Sequence, residues 1–330
     1  MEKLLHVLIV DDSENDALLL VYELKRGGFA PIVERVETVE AMEAALSSKK
    51  WDVVLCDYHM PRFSAFEALE ILKKQGIDIP FIIVSGAVGE ETAVAAMKAG
   101  AHDYIMKDNL TRLVAAIERE LEEAKIRSKQ RETELQLEQS FFDLAETVAR
   151  AMDSRDPYTA GHARKVAEYA QKIGEKMGFN KDRISGLYAC GLLHDIGKIS
   201  IPESLLCKPG ALIEEEWALI KTHALHGYQI LKDCNLPWPV ADVALHHHEN
   251  LDGSGYPDGL KDSEISIENR IIRVCDVVEA MGSHRPYRPA RSRQEVIDEL
   301  KNGKGVKYDP EVVDIMLEML EEITPVVVEK

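Results

Sequence analysis

Cysteine is scarce in this chain and never paired at a CxxC spacing: Cys56, Cys190, Cys207, Cys234 and Cys275 are the five in 330 residues. That excludes a disulfide-stapled scaffold, suits reduced and mostly buried thiols in a cytosol, and argues against a thiol catalyst. Long apolar runs are also missing. None approaches the ~20 residues of a membrane helix, and the opening MEKLLHVLIVDD is too short in its apolar part for a signal peptide. The expectation is a soluble, cytoplasmic protein with no membrane insertion. Positive charge is short as well: 40 Lys and Arg stand against 58 Asp and Glu, a formal charge of -18. So acidic a chain disfavours nucleic acid and anionic membranes as partners, and an anionic substrate needs a local cationic device. What is present is length and apolar content. At 330 residues and 45% hydrophobic the chain can bury substantial cores, and its length favours two domains.

Over the first 125 residues, short β-branched runs (HVLIV, IVERV, DVVLC, FIIVS, DYIMK) alternate with segments whose apolar residues recur at helical spacing. That alternation predicts a parallel sheet with helices on both faces. Ligands of such sheets gather at the carboxyl ends of strands. Those ends carry Asp11 and Asp12, Asp57, Ser85 and Lys107. Any one acid there is most simply a helix cap, but three carboxylates, a hydroxyl and an ammonium together suit a hard cation such as Mg²⁺ and a phosphoryl group.

On these residues, the stretch from about 4 to 122 resembles the receiver domain of two-component response regulators. The resemblance implies that Asp57 accepts the phosphoryl group from a sensor histidine kinase. It also implies that Asp11 and Asp12 hold Mg²⁺, that Ser85 and Lys107 contact the phosphoryl group, and that the rotamer of Tyr104 reports phosphorylation. Receivers usually have proline after the lysine; here Asp108 follows, so the turn into the last helix is expected to differ in shape.

From Leu110 to about Ala151 there is no Pro or Gly and charge dominates, which predicts one long helix leaving the receiver. Ile117, Leu121, Ala124, Ser128, Arg131 and Leu135 fall at heptad-like spacing, with Ser128 and Arg131 interrupting the seam. A homodimer through this linker and a solvated spacer are both compatible with that pattern.

Beyond Ala151 helical spacing takes over, and eight of the eleven histidines lie here, several beside acids: YTAGHARK, LLHDIGK, IKTHALHG, ALHHHENLDGSGYP and VCDVVEAMGSH. A lone helical histidine is usually structural. As a set, imidazoles and carboxylates are what Fe, Mn, Ni or Zn accept, and a bridging aspartate can hold two cations a few ångströms apart. Apolar GLL precedes His194 and Asp195, so the pair is expected to be buried, and burial without a counter-charge is costly. Lys198, one turn on, is in reach of a phosphate held there.

HDIGK and HHENLDGSGYP, with DPYTAGH and RPYR, make residues 143 to about 320 resemble the HD-GYP branch of the HD metal-dependent phosphohydrolases. The resemblance implies a two-metal site of His162, His194, Asp195, His223, His247, His248 and Asp276, holding Fe or Mn with Ni or Zn admitted, and hydrolysis of cyclic di-GMP to linear pGpG and in some members to GMP. Lys198, Asp156, Arg285 and Arg288 would contact substrate. Gly253, Gly255 and Tyr256 belong to the signature loop, which the family associates with partners carrying a diguanylate cyclase domain. Tyr158 stands where members with a third metal have glutamate, Glu279 where aspartate is common, and His226 and His246 have no ligand counterpart. Glu279, one turn past Asp276, is expected to alter the support of a ligand rather than to ligate.

The expected architecture is a doubly wound α/β five-stranded receiver (1–122), a helical linker (123–142) and an all-α HD-type metallophosphohydrolase domain (143–330). The expected function is a phosphorylation-controlled cyclic di-GMP phosphodiesterase. A phosphodiesterase for another cyclic dinucleotide such as cyclic GMP-AMP, and a non-catalytic nucleotide- or partner-binding adaptor, remain alternatives. A DNA-binding output is not expected.

Overall fold

The computed structural model describes residues 2–61, 63–86, 90–155, 161–208, 210–283 and 290–322. The chain divides into two compact units, Met1–Gln136 and Leu137–Lys330.

In the first unit, strands β1 (Lys3–Val10), β2 (Phe29–Val36), β3 (Val53–Asp57), β4 (Phe81–Ser85) and β5 (Asp103–Met106) alternate with helices α1 (Glu14–Arg26), α2 (Val39–Ser48), α3 (Ala65–Lys74) and α4 (Glu90–Lys98). All neighbouring strands are parallel, in the order β2-β1-β3-β4-β5. The period-two alternation of β1 splits the apolar residues between two faces. Leu8 and Val10 pack with Met42, Leu69 and Leu72 of α2 and α3, whereas Val7 and Ile9 pack with Leu20 and Leu24 of α1 and with Leu113 and Ile117. Both faces are therefore covered, as a parallel sheet requires. Caps fix the helix starts: Ser13 accepts from Asp16 N–H, and Ser64 and Glu67 form a reciprocal capping box.

After β5 a 3₁₀ turn, Lys107–Arg112, departs from helical geometry at Asn109 (φ -130°, ψ 52°) before α5 (Leu113–Asp153) begins. Asp108, which stands where receivers usually have proline, lies in this turn. The heptad reading of α5 needs correction at its start. Ile117 is fully buried and Leu121 partly so, both in the sheet's own core, so neither is available to a dimer seam.

The second unit is helical: α6 (His162–Lys176), α7 (Lys181–Leu193), α8 (Glu203–Leu206), α9 (Glu214–Lys221), α10 (His223–Leu231), α11 (Val240–His246), α12 (Ile267–Gly282), α13 (Arg293–Gly303) and α14 (Pro310–Glu322). Among its described residues the only β contacts are isolated bridges. Its core joins the end of α5 (Ala145, Ala149) to α6, α7, α11, α12 and α14 through Val166, Leu187, Val243, Ile272 and Met316. A 3₁₀ turn, Ile196–Ser200, follows α7. At Gly197 in that turn, a Cβ would lie 1.9 Å from His223 O and 2.4 Å from Gly227 N. Only glycine lets α10 come this close, and α10 begins at His223.

Gly197→Ala is expected to destabilise the second unit by about 3 kcal/mol, the upper range for overpacking against unyielding backbone. Denaturant unfolding followed by a probe in that unit, Trp238 fluorescence, measures it; an unchanged midpoint would contradict the close approach.

Candidate functional site

Asp195 sits just past the end of α7, between the last helical turn and the 3₁₀ turn, and imidazoles converge on both of its oxygens. His162 Nε2 and His194 Nε2 lie 3.5 and 3.3 Å from Oδ2, while His223 Nε2 and His247 Nε2 lie 3.3 and 3.8 Å from Oδ1. Asp276, on α12, closes the ring at 3.4 Å from His162 Nε2 and 3.8 Å from His248 Nδ1.

Backbone carbonyls aim three of these rings. His194 Nδ1 donates to Gly191 O at 2.7 Å, His223 Nδ1 to Ile220 O at 2.7 Å, and His247 Nδ1 to Val243 O and Ala244 O at 3.0 and 3.1 Å. A carbonyl can only accept, so each Nδ1 carries the proton and each Nε2 presents a lone pair inward. His162 is aimed by a carboxylate instead, its Nδ1 against Glu279 Oε2. Ser283 Oγ (2.5 Å) and Lys165 Nζ (3.4 Å) hold the other Glu279 oxygen.

The donors fall into two groups, Asp195, His223, His247 and His248, and His162, His194 and Asp276, with the atoms of each group within 4.8 Å of one another. They fit divalent cations on three counts. His162 Nε2, His194 Nε2 and Asp195 Oδ1 are buried with no hydrogen-bond partner among the described residues, a condition that is expensive unless a cation completes it. His223 Nε2 and His247 Nε2 are 3.5 Å apart, close to the ~3.4 Å between two nitrogens each ~2.1 Å from one tetrahedral ion. The donor set is imidazole plus carboxylate, which first-row metals accept.

Charge follows the same division. Burial holds His247 neutral, pulling its pKa down to about 3, and also lowers those of His223 and His248. His162 is the exception. Burial opposes its charge, but the Asp195, Asp276 and Glu279 carboxylates outweigh that and lift it to about 10. Burial likewise opposes charge on Glu279, yet His162 and Ser283 hold its carboxyl down at about 2.

A second cluster lies at the carboxyl ends of the sheet. Asp11 (after β1), Asp12 and Asp57 (ending β3) bring carboxylate oxygens within 4.8 Å of one another. Lys107 Nζ spans the cluster at 3.3 Å from Asp11 Oδ2 and 3.2 Å from Asp57 Oδ1. Its shortest contact is one the sequence reading missed, Asp16 Oδ2 at 2.6 Å. Burial resists the charge on Lys107, but these carboxylates raise its pKa well above that of an ordinary lysine. Ser85, buried, ends β4, and Tyr104 lies on β5 beside it in sequence order of the sheet, paired with Ile83.

Family models match in the same two places: a response regulator receiver domain over residues 7–118 and an HD domain over 146–312. The chain is 33% identical over 341 residues to a Thermotoga maritima protein named cyclic di-GMP phosphodiesterase, covering 97% of this chain and 92% of that one. It is 31% identical over 331 residues to the cyclic di-GMP phosphodiesterase response regulator RpfG of Xanthomonas campestris, covering 95% and 87%. A Vibrio cholerae protein named 3'3'-cGAMP-specific phosphodiesterase 2 is 33% identical over 188 residues, 56% of this chain and 36% of that one.

The chain belongs to the HD-domain response regulators.

In this HD-domain response regulator, the loop after His248 lies against the donor ring. The Tyr256 ring stacks on His248 with centroids 4.7 Å apart, and Lys221 Nζ lies 5.1 Å from the Tyr256 centroid. Gly253 has φ +79°, as a tight loop requires. Gly255 is needed for a different reason, because a Cβ there would lie 2.4 Å from Glu249 Cα. Glu249, overlooked in the sequence although it follows the histidine pair, anchors the loop by accepting from Asp258 N–H and Gly259 N–H at 2.8 and 2.9 Å. His246 bridges Asp242 (2.8 Å) and Asp258 (3.0 Å), a structural role. Lys198 Nζ lies 2.5 Å from Asp195 Oδ2. Asp156, Arg285 and Arg288, like Tyr158, lie outside the described residues. Burial raises the pKa of Cys56, Cys190 and Cys275, so none of these thiols is a ready nucleophile. Among the described residues no helix is long and apolar enough to cross a membrane.

Glu279→Ala is expected to weaken divalent-metal binding at least about tenfold, the usual cost of removing a carboxylate behind a ligating histidine. Glu279→Gln, which retains an oxygen acceptor, should lose less. Titration of the apoprotein with Mn²⁺ distinguishes the two, and equal affinities for all three proteins would contradict the assignment.

Proposed function

We propose that this protein is a phosphorylation-controlled phosphodiesterase that opens cyclic di-GMP to linear pGpG, with GMP as a further product. The observation that carries the reading is Asp195, with one buried oxygen turned to each set of donors. The relatives described above that span receiver and HD domain together are named for cyclic di-GMP, whereas three named for 3'3'-cGAMP match over 188, 180 and 179 residues. That favours cyclic di-GMP over cyclic GMP-AMP. The fully furnished donor ring favours an enzyme over a nucleotide-binding adaptor.

His162, His194 and Asp276 on one side, and His223, His247 and His248 on the other, are proposed to hold two divalent ions, Fe or Mn with Ni or Zn admitted by the same donors, with Asp195 shared. When bound, such ions supply Lewis acidity toward water and phosphodiester oxygens. Asp195 fixes the separation of the two donor sets, and the carbonyls of Gly191, Ile220, Val243 and Ala244 fix the tautomers. Lys198, whose ammonium has the Asp195 carboxylate as a near partner, is proposed to hold a non-bridging phosphate oxygen. Asp156, Arg285 and Arg288 are proposed as further substrate contacts from their places in the motifs.

In the receiver (1–122), Asp57 is proposed to take the phosphoryl group from a sensor histidine kinase. Asp11 and Asp12 would hold Mg²⁺, and Ser85 and Lys107 would meet the phosphoryl oxygens, with Tyr104 responding. Residues 123–142 are the proposed linker and 143–330 the hydrolase. A homodimer through the linker would use Ile126, Leu135 and Leu137, which are 60, 61 and 72% exposed. A diguanylate cyclase-domain protein is a proposed partner for the loop at Tyr256, and the cytoplasm the proposed setting.

The test is chromatographic product analysis after anaerobic loading with Fe²⁺ or Mn²⁺. Wild type should convert cyclic di-GMP to linear product, and Asp195→Ala should lose at least about 10³-fold, as expected when one residue holds both ions. Turnover of cyclic GMP-AMP alone would move the substrate, and no turnover of either would leave the adaptor. Asp57→Ala should abolish any change in turnover that acetyl phosphate or beryllofluoride brings about in the wild type; a change that persists in the variant would remove Asp57 from the control.

A further inference from the structure

The end of α5 touches both elements that carry opposing donors. Asp153, its last residue, accepts a hydrogen bond through Oδ2 from Gly161 N–H at 2.7 Å. Gly161 is the left-handed N-cap of α6 (φ +77°), with no side-chain cap of its own, and the next residue is His162. Two residues beyond Asp153, Arg155 turns the other way. Its Nη1 donates to Ile199 O at 2.5 Å and to Lys198 O at 3.4 Å, and its Nη2 donates to Ile201 O at 3.1 Å. Those carbonyls belong to the 3₁₀ turn capped by Asp195 and the residue that follows it. Met152 and Ala149 join Leu192 and Leu193 in the wall beside His162 and Asp195.

Packing of α6 on α7 fixes the bodies of the two helices. It does not by itself fix Gly161 and the 3₁₀ turn, which lie at the starting edge of one helix and beyond the end of the other, where backbone groups lack intrahelical partners. A carboxylate at the start of α6 and a planar guanidinium fork across three carbonyls are directional restraints suited to those ends. Both restraints issue from one helix terminus, so they refer His162 and the Asp195 turn to a common anchor. We propose that Asp153 and Arg155 act as a two-armed clasp that sets the spacing between His162 and Asp195, and are thus positioning residues for the metal centre.

The proposal rests on the metal-centre reading above, but it is tested by metal binding. A wild type that binds Mn²⁺ and does not turn over cyclic di-GMP would count against the substrate assignment alone. Mn²⁺ affinity is measured by electron paramagnetic resonance on the full chain for wild type, Asp153→Ala, Asp153→Asn, Arg155→Met and the Asp153→Ala/Arg155→Met double variant, with thermal melts to verify folding. Each of Asp153→Ala and Arg155→Met should weaken binding about tenfold, and Asp153→Asn should stay within about threefold of wild type, because its amide oxygen still accepts from Gly161 N–H. The double variant should bind no more weakly than the worse single one, since losing either arm already releases the spacing. Wild-type affinity in either truncated variant would overturn the clasp. So would an Asp153→Asn as weak as Asp153→Ala, or penalties that multiply in the double variant. Should Asp153→Ala melt early, the comparison of folded Asp153→Asn and Arg155→Met with wild type still decides.

Discussion

A carboxylate removed from water and set among four imidazoles is stable only if the surrounding charge is completed. Asp195 is in that position, with Oδ1 buried and without a hydrogen-bond donor while the lone pairs of His223 and His247 face it. Lone pair against lone pair is repulsive, and desolvation adds to the cost. The described residues offer two partial answers, the Lys198 ammonium on Oδ2 and a protonated His162. Both lie on the Oδ2 side. Among the described residues the Oδ1 side has neutral imidazoles, held so by burial, and divalent cations are the charge that this half of the ring is shaped to take.

Much of the second unit can be understood as the means of keeping those donors in place. His194, His223 and His247 stand at or beside helix ends, where carbonyls of the last turn accept from Nδ1. Backbone carbonyls at the helix ends thus fix the tautomers. Gly197 allows α10 to approach the turn after Asp195 until atoms are in contact, which is what brings His223 to within 3.3 Å of the carboxylate. The first unit meets a similar problem with a different device. Of the three carboxylates gathered at strand ends, Asp11 and Asp57 are bridged by one ammonium, Lys107, whose third acidic neighbour, Asp16, comes from the first turn of α1.

What was legible in the sequence was whatever is written in contiguous or regularly spaced residues. The alternation of β-branched runs with helical spacing announces the sheet, and adjacent His194–Asp195 and His247–His248 announce the donors, because neighbours in sequence at a helix end are neighbours in space. Relations across elements were not legible. That Glu279 faces His162, 117 positions earlier, or that Asp16 is the tightest partner of Lys107, depends on which helix packs on which. The heptad-like spacing of α5 was ambiguous for a related reason. A pattern with apolar residues at every third or fourth position is the same whether it faces another chain or the sheet beneath it, and here Ile117 faces the sheet.

The long helix α5 joins these two chemistries by covalent continuity and by burial at both of its ends. Leu113 and Ile117 belong to the core of the first unit, and Ala145 and Ala149 to that of the second. Between them the helix has little to bury. It is held instead by spaced ion pairs and amide contacts such as Lys125 with Glu122, Lys129 with Glu132 and Gln130 with Glu134, each a minor contribution on an exposed surface. With no Gly or Pro from Leu113 to Asp153, nothing in that span offers the backbone a natural break. A helix so built has its weakest restraints in the middle and its strongest at the ends. The residues at its far end, Asp153 and Arg155, are bonded to the elements that present His162 and Asp195, so the proposed clasp is anchored in the same helix whose first turns pack in the core of the first unit.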